Sequence, residues 1–197
     1  MTDHRDALLL VDLQNAFFDD PGLAKQREAL IAAANRLSRA ARAADIPVFV
    51  VTTVHSRDGS TWTLNMLEVG EGYLFNGDEG TEVVSGLDTC QTTRVEKTRD
   101  SAWFATDLHL RLTNLNVNRI VLAGVSTHGC IGQTARDAYA HNLRTVIVTD
   151  AVADARVDHH REQISHLTHD RQASLVTLTE MLDEWADDNT FHHSAQK

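Results

Sequence analysis

Short apolar runs alternate with amphipathic stretches along most of this chain. Residues 7–11 are all apolar and residues 47–54 are mostly apolar and β-branched, a pattern typical of strands that a parallel sheet buries on both faces. Between them, residues 25–44 carry leucine and alanine at three- and four-residue spacings, which predicts an amphipathic helix. The chain therefore begins as strand, helix, strand.

The same alternation continues toward the carboxyl end. It predicts further strands at residues 94–97, 119–125, 144–149 and 174–178, and helices at residues 103–114, 130–141 and 158–169 and through about Trp185. Strands that take turns with helices form a parallel sheet with helices on both faces. We therefore predict an α/β fold, a three-layer αβα sandwich that is doubly wound in the manner of a Rossmann fold.

Residues 55–92 form the longest stretch without clear periodicity. Loops of this length in compact domains are commonly lids or pocket walls, but a surface excursion that packs against a neighbouring subunit fits the sequence equally well. Residues 1–186 are predicted to form one domain, which is long enough to bury a sizeable core without disulfides or a structural metal. Residues 187–197 are predicted to be a flexible tail.

Composition narrows the range of partners. The formal net charge of −10 argues against nucleic acid, because phosphate backbones are bound mainly by clustered lysine and arginine. No apolar run approaches the roughly 20 residues that span a bilayer, and residues 1–6 are polar and charged rather than a signal peptide. We therefore expect a cytoplasmic protein with no membrane or nucleic-acid partner, whose two cysteines remain thiols.

Three reactive side chains follow predicted strands: Asp12, Lys97 and Cys130. Because ligands of an open parallel sheet bind beyond the carboxyl ends of its strands, these three side chains could meet in one crevice. Each also has an ordinary interpretation. Asp12 could cap a turn or helix, Lys97 could be a solvated lysine in a charged cluster, and Cys130 could be a small buried residue at a tight junction.

The segment AGVSTHGCIG, which contains Cys130, joins a strand to a helix through a glycine-bearing turn. Unpaired N–H groups at a helix N-terminus lower the pKa of a thiol, so we expect a reactive thiolate at Cys130. Cys90 has no helix start nearby and is interpreted as structural. Among the eleven histidines, His55 follows the second strand; His166 and His169 share a helix face, but no carboxylate pattern supports a metal there, so we predict no metal site.

Three motifs, in this order and at this spacing, resemble the isochorismatase-like cysteine hydrolase superfamily. They are LVDLQNAF at residues 10–17, EKTRDSAW at residues 96–103, and AGVSTHGC at residues 123–130 followed by TARDAY at residues 134–139. The resemblance runs from about residue 7 to about residue 182. It is to the amidohydrolase branch, which includes nicotinamidases and N-carbamoylsarcosine amidohydrolases.

The resemblance implies a six-stranded parallel sheet, and it maps the superfamily's Asp, Lys and Cys triad onto Asp12, Lys97 and Cys130. It also implies a cis peptide bond between Val125 and Ser126, which turns the N–H groups of Ser126 and Cys130 toward a substrate carbonyl as an oxyanion hole. A homo-oligomer, either dimer or tetramer, is a further expectation from the superfamily.

Two departures from the superfamily pattern concern the site. Nicotinamidase-like members carry an Asp-x-His metal motif after the second strand, whereas this chain has Thr53, Val54 and His55, which argues against that kind of metal site. Many amidohydrolase members have an acidic residue and then a bulkier one before the nucleophile, where this chain has His128 and Gly129. The pocket is therefore expected to differ in shape.

The predicted function is cysteine-dependent hydrolysis of a C–N bond in a small amide or ureido compound. Cys130 attacks the carbonyl, Asp12 moves the proton, and a thioester is then hydrolysed without a cofactor. A vinyl-ether hydrolase of the isochorismatase type needs no thiol, so Cys130 disfavours it. A catalytically idle binding protein on the same fold is the third possibility, which an intact triad disfavours.

The sequence does not identify the small-molecule substrate. Candidates for its pocket wall are Phe17, His55, Trp62, Phe75 and Trp103. Each of them is equally well explained as part of the core or of a subunit interface.

Overall fold

Six parallel strands form the central sheet of the computed structural model, which describes residues 4–194 and the side chains of residues 4–187. The strands are β1 (Asp6–Val11), β2 (Val48–Thr53), β3 (Thr93–Lys97), β4 (Arg119–Val125), β5 (Arg144–Ala153) and β6 (Ser174–Val176), in the order β3-β2-β1-β4-β5-β6. The chain winds outward from β1 to β3, then returns to β4 and winds outward on the other side. A crevice site is therefore expected at the carboxyl ends of β1 and β4.

Helices cover both faces of the sheet, so the predicted three-layer, doubly wound fold is confirmed. They are α1 (Pro21–Ala24), α2 (Arg27–Ala43), α3 (Leu64–Val69), α4 (Leu108–Asn114), α5 (Gly132–Ala140), α6 (Val157–His169) and α7 (Leu178–Ser194). Helices α2 and α7 pack on one face, and α4, α5 and α6 on the other. No helix in residues 4–194 is long and apolar enough to cross a membrane.

The central strand β1 shows why residues 7–11 are all apolar. Leu8 and Leu10 belong to the core beneath α2 and α7, while Leu9 and Val11 belong to the core beneath α4 and α5. Both faces of this strand are buried because neighbouring strands and two helix layers enclose it. Such an apolar run thus indicates a strand in the middle of a parallel sheet.

The helix predicted from residue 103 begins instead at Leu108. Ala105 has a φ of 56°, which a right-handed helix does not allow. The Thr106 hydroxyl donates to the carbonyl of Ala102 (2.6 Å) and accepts from the N–H of Leu108 (3.3 Å). Residues before Leu108 therefore form turns.

Two other elements are longer than predicted. β5 runs on to Ala153, because polar Thr149 and Asp150 interrupt its apolar run without ending the strand. α7 runs on to Ser194, past the helix end predicted near Trp185, and the predicted tail therefore begins inside this helix. Residues 195–197 lie outside the described residues, and the domain boundary stays a prediction.

The long segment 55–92 contains α3 and a short 3-10 helix, Glu79–Thr81. The buried side chain of Gln14 ties this segment to the sheet: Nε2 donates to the carbonyls of Thr53 (2.9 Å) and Thr81 (2.7 Å). Oε1 of Gln14 accepts the N–H of Thr53 at 2.8 Å. The segment is thereby fixed beside the carboxyl end of β2.

Candidate active site

Asp12, Lys97 and Cys130 come together at the carboxyl edge of the sheet. Lys97 Nζ lies 2.8 Å from Asp12 Oδ2 and 3.2 Å from Cys130 Sγ. The side chains of Asp12 and Lys97 are completely buried, and Cys130 is 8% exposed. An acid, a cation and a thiol therefore share one enclosed space.

The strand ends place these groups. Asp12 directly follows β1 with a φ of 51°, and its N–H donates to the carbonyl of Val51 at 2.9 Å. Lys97 is the last residue of β3 and pairs with Thr53 at the end of β2. Because β1, β2 and β3 are parallel neighbours, their carboxyl ends deliver these side chains to the same edge.

Cys130 lies within a π-helical turn, Thr127–Ile131, which follows β4 and precedes α5. The sequence predicted that the helix starts at Cys130; the helical path instead starts at Thr127. The peptide bond between Val125 and Ser126 is cis, which confirms that prediction. The oxyanion-hole role of the Ser126 and Cys130 N–H groups stays a prediction.

Thr53 completes the group and was missed from the sequence. Its hydroxyl accepts a hydrogen bond from Lys97 Nζ at 2.6 Å and donates one to Asp12 Oδ1 at 2.9 Å. The Lys97 ammonium thus hydrogen-bonds the Thr53 hydroxyl and the Cys130 sulfur and forms an ion pair with the Asp12 carboxylate. The one signal in the sequence was that Thr53 occupies the place of the Asp in the nicotinamidase metal motif.

Lys97 is cationic in this setting. Burial by itself would lower the pKa of Lys97, but the negative charge of Asp12, together with hydrogen bonds to Asp12 and Cys130, raises it above its ordinary value. An ammonium that keeps its proton cannot act as a general base. It acts as a fixed positive charge beside the thiol and the carboxylate.

The expected low thiol pKa is wrong. Burial raises the pKa of Cys130 well above its ordinary value, the negative charge of Asp12 raises it further, and Lys97 only partly offsets both. Dehydration and a nearby carboxylate outweigh the helix terminus on which the expectation rested. The resting thiol therefore carries its proton, next to a carboxylate that can accept it.

His55 and Tyr73, both from segment 55–92, lie beside this group. His55 is buried, its Nδ1 lies 2.9 Å from the carbonyl of Thr61, and its ring centroid is 6.1 Å from that of Tyr73. Burial lowers the pKa of His55 and raises that of Tyr73. Tyr73 was not among the residues predicted for the pocket wall.

The other predicted wall residues lie in packing positions. Trp103 is buried between α4 and α5: its Nε1 donates to the carbonyl of Thr134 (2.9 Å), and its ring lies 5.0 Å from that of His141. The ring centroids of Trp62 and Phe75, both in segment 55–92, lie 6.0 Å apart. Phe17 is half-buried against the α2 face of the core. Their substrate-binding roles stay predictions.

The described residues do not fit a nicotinamidase-type metal. No three His, Cys, Asp or Glu side chains in that part of the chain come close enough to hold an ion. At the first position of the motif, where nicotinamidase-like members carry Asp, this chain has Thr53, whose hydroxyl donates to Asp12 and accepts from Lys97.

The fold and these contacts define a class: doubly wound α/β proteins with a thiol, a lysine and a carboxylate in the crevice at the switch point of the sheet. The isochorismatase domain family matches residues 6–180. The chain belongs to this family of hydrolases, which confirms the resemblance stated from the three motifs.

Individual relatives of this chain are named as members of the same family or as amidases. A protein of Arabidopsis thaliana named "Probable inactive nicotinamidase" is 31% identical over 191 residues, 92% of this chain and 95% of that protein. N-carbamoylsarcosine amidase of an Arthrobacter species is 29% identical over 168 residues, 77% of this chain and 60% of that protein. The crystal structure of an isochorismatase family protein from Desulfovibrio vulgaris matches with a TM-score of 0.82 and 28% identity, covering 93% of this chain and 100% of that one.

Proposed function

We propose that this protein hydrolyses a C–N bond of a small amide or ureido compound, with Cys130 as the nucleophile and a thioester as the intermediate. The contact that carries the proposal is the 3.2 Å approach of Lys97 Nζ to Cys130 Sγ beside the buried carboxylate of Asp12. A buried salt bridge without a neighbouring thiol would be explained by structure alone. Here the ion pair contacts a thiol, and a thiol beside a carboxylate and a cation is the arrangement expected of an activated nucleophile.

Acylation begins when Asp12 takes the S–H proton of Cys130. The sulfur forms a bond to the substrate carbonyl carbon, and the carbonyl electrons move to its oxygen, which the N–H groups of Ser126 and Cys130 stabilise. The C–N bond then breaks, and the departing nitrogen takes the proton from Asp12. Ammonia or an amine leaves, and the acyl group remains on sulfur.

Deacylation repeats the proton transfers with water. Asp12 takes a proton from the water as its oxygen attacks the thioester carbon. The C–S bond breaks, the acid is released, and the sulfur takes the proton back from Asp12. Lys97 keeps its proton throughout, and its charge stabilises the thiolate in both half-reactions.

The high thiol pKa supports this role for Asp12. A thiol that is protonated at rest needs a base within reach at the moment of attack, and Asp12 is the carboxylate whose charge acts most strongly on it. The names of the relatives, N-carbamoylsarcosine amidase among them, support amide and ureido compounds as the substrate class. The small-molecule partner, cytoplasmic location and homo-oligomer stay predictions.

The test is ammonia release from a panel of small amides, ureido acids and nicotinamide. The variants are Cys130→Ala and, as a matched control, Cys90→Ala, which removes the exposed second thiol. We expect Cys130→Ala to lose at least about a thousandfold in turnover, with Cys90→Ala unchanged. Turnover that survives in Cys130→Ala would remove the nucleophile.

Absence of turnover on the whole panel would contradict the proposed function. It would favour the third possibility, a catalytically idle binding protein on this fold; the Arabidopsis relative is likewise named as inactive. Release of pyruvate from isochorismate by Cys130→Ala would instead favour vinyl-ether hydrolysis.

A further inference from the structure

The turn that carries Cys130, Thr127–Ile131, is hydrogen-bonded to the residue that follows β5 and to α6. The backbone N–H of His128 donates to Asp154 Oδ2 at 2.9 Å, and His128 Nδ1 lies 2.6 Å from the same oxygen. The hydroxyl of Thr127 lies 2.9 Å from Nδ1 of His160 on α6. Two consecutive residues of the turn are therefore held from outside it.

The sheet register explains why Asp154 reaches the turn. Val125 and Ala153 are the last residues of β4 and β5, and they pair with each other. The residues that follow them, Ser126 and Asp154, therefore leave the sheet side by side. The extension of β5 beyond its predicted end is what brings Asp154 to this place.

Asp154 is suited to an anchor because its side chain is fully buried. A buried carboxylate is costly unless donors surround it. His128 supplies two donors to Oδ2, and the N–H of Arg156 donates to Oδ1 at 3.2 Å. Burial by itself would raise the pKa of Asp154, but the bonds from His128 outweigh it and lower the pKa.

We propose that Asp154 is a positioning residue, which fixes the turn Thr127–Ile131 through His128 and thereby holds the Cys130 thiol against Asp12. The inference rests on the proposed role of Cys130 as nucleophile. A displacement of about 1 Å is enough to disturb such an arrangement. His128, one of the two residues that depart from the superfamily pattern, thus gains a function in this chain.

The carboxylate contributes more to this anchor than the imidazole does. The side chain of His128 is 45% exposed, so water can replace part of its bond to Asp154. The bond from the backbone N–H remains when the imidazole is removed. Asp154→Ala should therefore disturb the turn more than His128→Ala does.

The experiment compares variants in a Cys90→Ser background, so that Cys130 is the single remaining thiol. One measurement is backbone hydrogen exchange in residues 126–131; the other is the pH profile of Cys130 alkylation by iodoacetamide. The control is Asp150→Ala. Asp150 lies on β5, four residues before Asp154, and it also accepts a backbone N–H, that of Leu178 at 2.6 Å, but it does not touch the turn.

In Asp154→Ala we expect exchange in residues 126–131 to accelerate by about tenfold or more. The midpoint of the alkylation profile should move down toward that of an ordinary thiol, because burial and the charge of Asp12 then act less strongly on the sulfur. Asp154→Asn keeps an oxygen for the His128 N–H and should restore most of the native midpoint. His128→Ala should show smaller changes, and Asp150→Ala none.

Native exchange and a native pH profile in Asp154→Ala would overturn the inference. So would equal changes in Asp150→Ala, since they would indicate general destabilisation. Neither measurement needs a substrate. If the protein hydrolyses no amide or ureido compound, the proposed function fails, and these two measurements still decide the role of Asp154.

Discussion

Asp6 and Asp12 lie at the two ends of β1, and each carboxylate forms a buried ion pair with a cation from another strand. Asp6 Oδ2 lies 2.6 Å from Arg119 Nη2 and also accepts a bond from Trp185 Nε1 at 2.7 Å. Asp12 Oδ2 lies 2.8 Å from Lys97 Nζ. The first pair joins β1 to β4 and α7. The second lies beside the thiol of Cys130, so β1 has an ion pair that joins elements of the fold at one end and an ion pair of the candidate active site at the other.

We predict that Asp6→Asn lowers stability alone, whereas Asp12→Asn lowers stability and hydrolysis. Asp6→Asn leaves Arg119 paired with Glu184 (2.6 Å), so the expected loss is about 1–3 kcal/mol. Asp12→Asn leaves Lys97 buried without its counter-charge, at a cost of about 3–5 kcal/mol. It also removes the base, worth roughly a hundredfold to ten-thousandfold in rate. Urea unfolding and ammonia release measure the two effects; a folded but inactive Asp6→Asn would contradict the division.

Thr53→Val should slow hydrolysis by roughly 10- to 100-fold, because it removes one hydrogen bond from the Lys97 ammonium and one from the Asp12 carboxylate. Thr53→Ser keeps the hydroxyl and should recover most of the rate. The matched control is Thr52→Val. Thr52 is also buried, but its hydroxyl accepts a bond from Arg94 instead. Equal rate losses in both valine variants would show that the loss comes from the strand and not from the site.

The features that could be predicted from the sequence are those with a local cause. Residues 7–11 of β1 are all apolar because Leu8 faces one helix layer and Leu9 the other, and that run can be seen in the sequence. Asp12 and Lys97 could be placed at one edge because parallel strands end at the same edge. Convergence of strand ends needs only the order of the elements.

The features that could not be predicted depend on contacts between distant segments. Thr53 looks like any threonine at the end of a strand until Asp12 and Lys97 are placed around it. Nothing near Asp154 in the sequence distinguishes it from other acidic residues, because its contact with His128 arises only when β4 and β5 pair. The pKa of Cys130 was misjudged because a helix terminus is a local feature, while burial and the charge of Asp12 arise from the fold.

Alkylation of Cys130 in the native protein should still accelerate with pH at pH 9. Its pKa lies well above the ordinary value of 9.0, so the thiolate fraction, and with it the rate constant, rises by about tenfold per pH unit beyond that point. Lys97→Met should move the midpoint further up, because Lys97 is the group that lowers the pKa. The measurement is the iodoacetamide rate constant in Cys90→Ser protein. A plateau below pH 8 would contradict the raised pKa.

Gly124→Ala and Gly129→Ala should have opposite effects, although Gly124 lies at the end of β4, just before the turn that carries Cys130, and Gly129 lies within that turn. A Cβ at Gly124 would lie 2.0 Å from the carbonyl oxygen of Val11 on β1, and the φ of 123° is itself unfavourable for alanine. We expect that variant to lose more than about 4 kcal/mol or fail to fold. A Cβ at Gly129 would meet nothing within 4 Å. Gly129→Ala should therefore leave the free energy of unfolding unchanged or raise it by about 0.5–1 kcal/mol. Thermal unfolding measures both. Equal stability losses in the two variants would contradict this prediction.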